Sequence, residues 1–168
     1  MRWNHQFHLP HAFVFLIFTL LVNTATITES QATAKEILLQ FKGNITGDPY
    51  NRLDSWVSSG NPCVDFSDVF CNPARLVDKI VLWNMSLVGV LALALSGLKS
   101  LRVLTLFSNK FEGNNPVKYV GLQTLWKIYV SSNALSGSIP DFIGDLPSIR
   151  FLNLSKNAYG DQSNFLVP

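Results

Sequence analysis

A spacing of twenty-four residues separates equivalent apolar and polar positions in the second half of the chain. Three apolar residues share one position and three asparagines share another: Leu104, Ile128 and Leu152, then Asn109, Asn133 and Asn157. Apolar residues at alternate positions, as in 104–106, indicate a short strand with one face turned inward. The asparagine that follows can hydrogen-bond backbone groups left unpaired in the bend. The pattern therefore predicts stacked strand-and-turn units whose asparagines form a ladder.

The full unit resembles a leucine-rich repeat, which implies an α/β repeat fold, a right-handed solenoid of 24-residue repeats. Its clearest copy is Leu125-x-x-Ile128-x-Val130-x-x-Asn133-x-Leu135-x-Gly137. No single repeat can cover its own apolar side, so neighbouring repeats must stack to bury a continuous core. The first copy departs from the pattern, since Met85 stands at the asparagine position.

A stack of repeats exposes apolar core at its ends, so a lid is expected before the first repeat. Residues 34–42 place apolar side chains at helical spacing, and Gly43 follows where a helix would end. Leu53, Trp56 and Phe70 come next, around two cysteines. This segment is predicted to be a helical cap.

The cap is similar to the amino-terminal cap of plant leucine-rich repeat receptor-like kinases. The resemblance is carried by residues 37–42, Asp48-Pro49, Leu53-x-Ser55-Trp56, Cys63 and Val69-Phe70-Cys71, and by Leu135-Ser136-Gly137-Ser138-Ile139-Pro140 in the repeats. Repeats of that plant type carry an extra short strand. The resemblance implies a cap over 29–76, about four repeats over 77–160 with the last incomplete, and an aberrant tail over 161–168.

The amino terminus has the pattern of a secretory signal. Arg2 precedes an apolar run over 12–22, and small or polar residues follow to Ser30. The run is short for a membrane span, which needs about 20 residues. We expect a signal peptide over 1–28 and an extracellular location, with an uncleaved signal anchor as the alternative.

Composition excludes several kinds of chemistry once the signal is set aside. All three histidines lie in the signal, so histidine-based catalysis and most metal sites are not expected. Twelve basic and eleven acidic side chains remain, a balance that does not favour nucleic acid. Neither an enzyme nor a cofactor is predicted. In an oxidising route Cys63 and Cys71 are expected to form a disulfide, although a reactive or metal-binding thiol pair is the other hypothesis.

Residues between the core leucines should point outward on the concave face and align in columns across repeats. One column contains Lys79, Val103, Lys127 and Phe151; the next contains Val81, Thr105, Tyr129 and Asn153; the third contains Trp83, Phe107, Ser131 and Ser155. Exposed aromatics beside lysines suit a peptide-binding surface. The candidates are Trp83, Phe107, Tyr129, Lys79 and Lys127. Strand packing alone is the alternative explanation of these aromatics.

Three Asn-x-Ser/Thr sequons begin at Asn44, Asn84 and Asn153. Asn44 is expected to be glycosylated first, because it follows the cap helix in an open loop, and a glycan on Asn153 would block its column.

The leading functional hypothesis is a recognition module of a receptor-like kinase ectodomain, present as a fragment without the membrane span and kinase. Its partners would be a peptide, a wall-derived or protein ligand, or a leucine-rich repeat co-receptor, with membrane association only through a longer parent or an uncleaved signal. The alternative is a short secreted repeat protein that inhibits wall-degrading enzymes or acts as a decoy.

Overall fold

The structure is a computed structural model that describes residues 33–91, 93–114, 122–138 and 146–160, without the side chains of 93, 94 and 114. The expected signal over 1–28 and the tail over 161–168 lie outside these residues. The described chain contains helix α1 over 33–43, a 3₁₀ turn at Leu93–Gly97, and short strands. The strands are β1 Ile45–Gly47, β2 Val69–Cys71, β3 Val77–Val81, β4 Val88–Val90, β5 Val103–Thr105, β6 Lys110–Asn114, β7 Lys127–Tyr129, β8 Ala134–Gly137, β9 Phe151–Asn153 and β10 Ala158–Tyr159.

The strands form two five-stranded sheets. The first sheet has the order β2-β3-β5-β7-β9, and the second has the order β1-β4-β6-β8-β10. Within each sheet the repeat strands pair in parallel, whereas the cap strands β2 and β1 pair antiparallel with β3 and β4. In the first sheet the paired residues of the repeat strands lie twenty-four positions apart, as in the row Ile80, Leu104, Ile128 and Leu152. In the second sheet they lie twenty-two positions apart, as Gly89 and Phe111 do. The chain is a leucine-rich repeat solenoid, and the second sheet contains its extra short strands.

The repeat leucines build one core that runs through the stack. Leu82, Leu106 and Leu135 are fully buried, and Leu104 is nearly so. Each buried leucine stabilises the fold by about 1.5–3 kcal/mol relative to an exposed one. Because these contacts join consecutive repeats, the strands of the first sheet are held in a fixed register.

The cap closes the amino-terminal end of this core. Leu38 and Phe41 of α1 are fully buried, and the ring of Phe41 lies 6.1 Å from the rings of Trp56 and Phe111. Phe41 therefore joins the cap to the second repeat. Cys63 and Cys71 form a disulfide, with 5.4 Å between their Cα atoms, which ties the cap loop to strand β2.

The three asparagines supply hydrogen bonds to the preceding repeat as well as to their own. The Oδ1 atom of Asn109 accepts from the backbone N–H groups of Met85 and Leu87, at 3.1 and 3.0 Å. Its Nδ2 atom donates to the carbonyl oxygens of Leu82 and Leu106. Asn133 and Asn157 repeat this arrangement, accepting from the N–H groups of Phe111 and Leu135.

This direction explains why Met85 is tolerated. An asparagine at position 85 would serve backbone groups of a repeat before the first, where the cap lies instead. Met85 is 5% exposed and forms part of the core cluster. Asn109 of the second repeat makes the hydrogen bonds that the backbone turn of the first repeat needs. The residue at the ladder position of the first repeat can therefore be apolar.

Candidate ligand-binding face

The outer face of the first sheet is the face that sequence analysis predicts to be concave. Trp83 and Phe107 follow strands β3 and β5 at equivalent positions. Their rings stack with 5.4 Å between centroids and planes inclined by 10°. Trp83 remains 48% exposed although it has this partner. The pair therefore presents a wide apolar surface to solvent, as a contact for a ligand requires.

Two lysines of the same face lie over aromatic rings. The Nζ atom of Lys127 is 4.3 Å from the ring centroid of Tyr129, and that of Lys79 is 5.4 Å from the centroid of Phe70. Both distances fall within the range of cation–π attraction, about 6 Å. The rings hold the ammonium groups near the sheet, which reduces the entropy that each lysine would lose on binding a partner.

These side chains surround a shallow groove of about 410 Å³. It is lined by Lys79, Val81, Trp83, Val103, Thr105, Phe107, Trp126, Lys127 and Tyr129. Val103 and Thr105 belong to the predicted outward columns, yet they are 9% and 6% exposed. Because these two small side chains line the groove and are nearly buried, they form its floor. Ser131, also predicted to face outward, is 7% exposed.

Trp126 and Phe70 also belong to this face, although the columns predicted from the repeat spacing do not include them. Trp126 precedes β7 and meets Phe151 edge to face, with centroids 5.3 Å apart. Residues 78, 102 and 150, at the equivalent positions, are Asp, Arg and Arg. That polar column is the signal that position 126 faces outward. Phe70 belongs to the cap, and only its antiparallel pairing with Lys79 brings it to the face.

The three sequon asparagines lie in different environments. The Nδ2 atom of Asn44 donates to the carbonyl oxygen of Gln40 at 2.9 Å. Asn153 is half-buried on β9, and its Oδ1 atom accepts from the backbone N–H and the hydroxyl of Ser155. Asn84 is exposed beside Trp83 and has a left-handed backbone conformation with a φ of 54°. It lines a second hollow with Tyr50 and Arg52, whose guanidinium pairs with Asp68 at 3.3 Å.

The described residues contain no cluster of three or more metal-ligating side chains. Within the same residues, no helix has the length and apolarity needed to span a bilayer. Tyr159 has a strongly shifted pKa: burial raises it from 10.0 to about 12. That residue lies at the far end of the core, away from the groove.

Comparison with known proteins agrees with the fold. A leucine rich repeat N-terminal domain is recognised at residues 32–72 and a leucine rich repeat at 124–146. The chain is therefore a leucine-rich repeat protein. Its cap and repeats are similar to the amino-terminal part of plant leucine-rich repeat receptor-like kinases.

Among its relatives, Pollen receptor-like kinase 1 of Arabidopsis thaliana is 39% identical over 106 residues, which are 62% of this chain and 16% of that protein. The ectodomain of Arabidopsis thaliana BIR2 superposes with a TM-score of 0.68 at 30% identity, covering 74% of this chain and 68% of that one. The Arabidopsis receptor kinase HAESA, solved with the peptide hormone IDA and the co-receptor SERK1, gives 0.67 at 31% identity, covering 74% and 21%. The chain spans 11% to 22% of the length of the relatives matched by sequence.

Proposed function

We propose that the outer face of the first sheet is an extracellular recognition surface for a peptide or protein ligand. The observation that carries the proposal is the stacked pair of Trp83 and Phe107 beside the groove, with Trp83 left 48% exposed. Burying such a pair against a partner would release a large apolar area at little cost in side-chain entropy. The HAESA complex supports the proposal, because that ectodomain of similar fold binds a peptide hormone and a co-receptor.

The test is selection of binders from a library of short random peptides on the secreted chain. We expect peptides that bind the unmodified chain and lose about tenfold or more in affinity when Trp83→Ala and Phe107→Ala are combined, which is about 1.4 kcal/mol or more. The matched control combines Val57→Ala with Val64→Ala, two exposed apolar side chains of the cap outside the groove. Equal affinity of the aromatic double variant and the unmodified chain would refute the proposal.

We further propose that this recognition unit acts as part of a longer receptor whose kinase transmits the signal. The support is that the relatives are receptor-like kinases of which the chain spans at most 22%. Reading the transcript beyond the codon for Pro168 tests this. Further repeats, a membrane helix and a kinase are expected, and a stop codon in their place would contradict the proposal.

A further inference from the structure

A row of cations crosses the first sheet, with one cation in every repeat. The four cations occur at or immediately before the first residues by which neighbouring repeat strands pair, and they alternate between two neighbouring columns: Lys79, Arg102, Lys127 and Arg150. Three of the four are exposed and Lys127 is half-buried under the cation–π contact described above. Strands in a sheet are about 4.8 Å apart, so the positive charges follow one another along the solenoid axis at short intervals.

The described carboxylates do not neutralise this row. Asp78 is the acidic residue of the same columns, and it is half-buried. Asp68 of the cap pairs with Arg52. None of the four cations forms an ion pair with a described carboxylate. The edge of the groove is therefore positive, next to a floor of Val81, Val103 and Thr105 that is apolar or buried.

We infer that the ligand of this groove is an acidic peptide with an apolar side chain between its carboxylates. This inference rests on the proposed recognition function. Lys79 and Lys127 stand on strands two positions apart, about 10 Å in sheet spacing. An extended peptide rises about 3.3 Å per residue, so carboxylates three residues apart would reach both ammonium groups. One of the two residues between them would lie over the Val103 floor, beside Trp83 and Phe107.

A charged polysaccharide would satisfy the cations but not the floor. The C–H faces of its sugar rings could stack on the aromatic rings, but the polymer has no aliphatic side chain that could fill the floor formed by Val81, Val103 and Thr105. The chemistry of the groove therefore favours a peptide over a uronic acid polymer.

The test uses peptides selected from the library on the unmodified chain, together with polygalacturonate. We expect the selected peptides to be enriched in paired acidic residues three positions apart. Replacing those acids by amides in a selected peptide should weaken its binding about tenfold, and so should combining Lys79→Gln with Lys127→Gln in the protein. The affinity should also fall with rising salt, because exposed charges are screened.

Two controls separate charge from structure. Lys99→Gln combined with Lys110→Gln removes two exposed cations elsewhere and should leave the affinity unchanged. Lys79→Arg combined with Lys127→Arg keeps both charges and should retain binding. If the lysines had only a structural role, keeping the charge would not be expected to preserve the affinity.

Three outcomes would overturn the inference. The selected peptides could show no enrichment in acidic residues and yet lose binding to the Trp83 and Phe107 double variant. That result would refute the acidic ligand and leave the proposed recognition function intact. Binding of polygalacturonate in place of any acidic peptide would assign the cations to a polysaccharide. Peptides that bind equally well without Trp83 and Phe107 would contradict both the inference and the proposed function.

Discussion

At the scale of single residues, the ladder asparagines form the most densely bonded polar side chains of the fold. Asn109 is 8% exposed, and its amide makes four hydrogen bonds to backbone groups of two repeats. No other side chain of similar size offers both a double acceptor and two donors in this geometry. The residue therefore connects repeats through polar contacts while the leucines connect them through apolar ones.

Replacing Asn109 by alanine should lower the free energy of unfolding by roughly 2 to 4 kcal/mol, because buried backbone groups would lose their partners. Chemical denaturation measures the loss. Gln40→Ala, which removes an exposed amide side chain from α1, is the control and should change stability little. A loss no greater than that of the control would contradict the structural role of the ladder.

The sequons lead to a second prediction at this scale. Asn44 and Asn84 are both exposed, but the amide nitrogen of Asn44, to which a glycan would be attached, donates a hydrogen bond to the carbonyl oxygen of Gln40. Asn153 is half-buried on a strand. We propose that Asn84 carries the principal N-glycan, in contrast to the sequence-based preference for Asn44. Peptide mass spectrometry after enzymatic deglycosylation should find Asn84 converted to aspartate in most molecules and Asn153 unchanged. Full occupancy of Asn153 with an empty Asn84 would disprove this assignment.

Tyr159 gives a prediction for alkaline pH. Its hydroxyl is buried without a partner among the described residues, and its pKa is raised to about 12. The folded chain keeps this proton after the unfolded chain has lost it, so stability is intact below pH 10 and decreases as pH rises from about 10 to about 12. Tyr159→Phe should remove this part of the decrease, as measured by denaturation at several pH values. An identical pH dependence in both proteins would show that the hydroxyl does not contribute.

At the scale of elements, the contact between β1 and β4 fixes the cap on the repeats. Gly89 of β4 pairs with Ile45 of β1, and a Cβ atom at Gly89 would clash with the carbonyl oxygen of Asn44. Only glycine permits this close approach, since any side chain would force the two strands apart.

Gly89→Ala should therefore destabilise the chain by about 1–3 kcal/mol, as overpacked sites do, and loosen the cap first. Hydrogen exchange of the β1 amides provides the measurement. Gly43→Ala is the matched control, because a Cβ there meets no atom within 4 Å. Unaltered exchange in β1 of the Gly89 variant would rule out this packing constraint.

The repeat strands could be predicted from sequence because leucine and asparagine spacing encodes them directly. Other elements could not. The strand β1 has three residues and no alternating pattern, and it exists because its backbone pairs with β4. Val103 and Thr105 are nearly buried, and they line the groove together with Trp83 and Tyr129 of other repeats, an arrangement that no local pattern records. The sequence therefore predicted which residues line up on the outer face, but not which of them are buried in the floor of the groove.

At the scale of the whole molecule, solenoids are often described as chains of nearest-neighbour contacts. Phe41 modifies that description, because its ring lies 6.1 Å from Phe111 in the second repeat. The cap is thus packed against two repeats, and their stabilities should be linked.

Phe41→Ala should cost about 3–5 kcal/mol and expose amides of β6 to exchange together with those of the cap. Phe70→Ala, which truncates a cap aromatic that is 48% exposed, is the control and should affect neither group. Loss of protection confined to the cap would show that the second repeat is stable without it.

The hydrogen bonds from each asparagine to the preceding repeat also have a consequence for how such a chain can lengthen. Each asparagine satisfies the turn before it, so the stack has a polarity, and a newly duplicated unit supplies the bonds that its predecessor needs. Duplication of whole twenty-four-residue units preserves every donor and acceptor pairing, wherever the break falls. An insertion of another length would displace all later asparagines from their partners, which gives gene duplication a physical reason to keep this period.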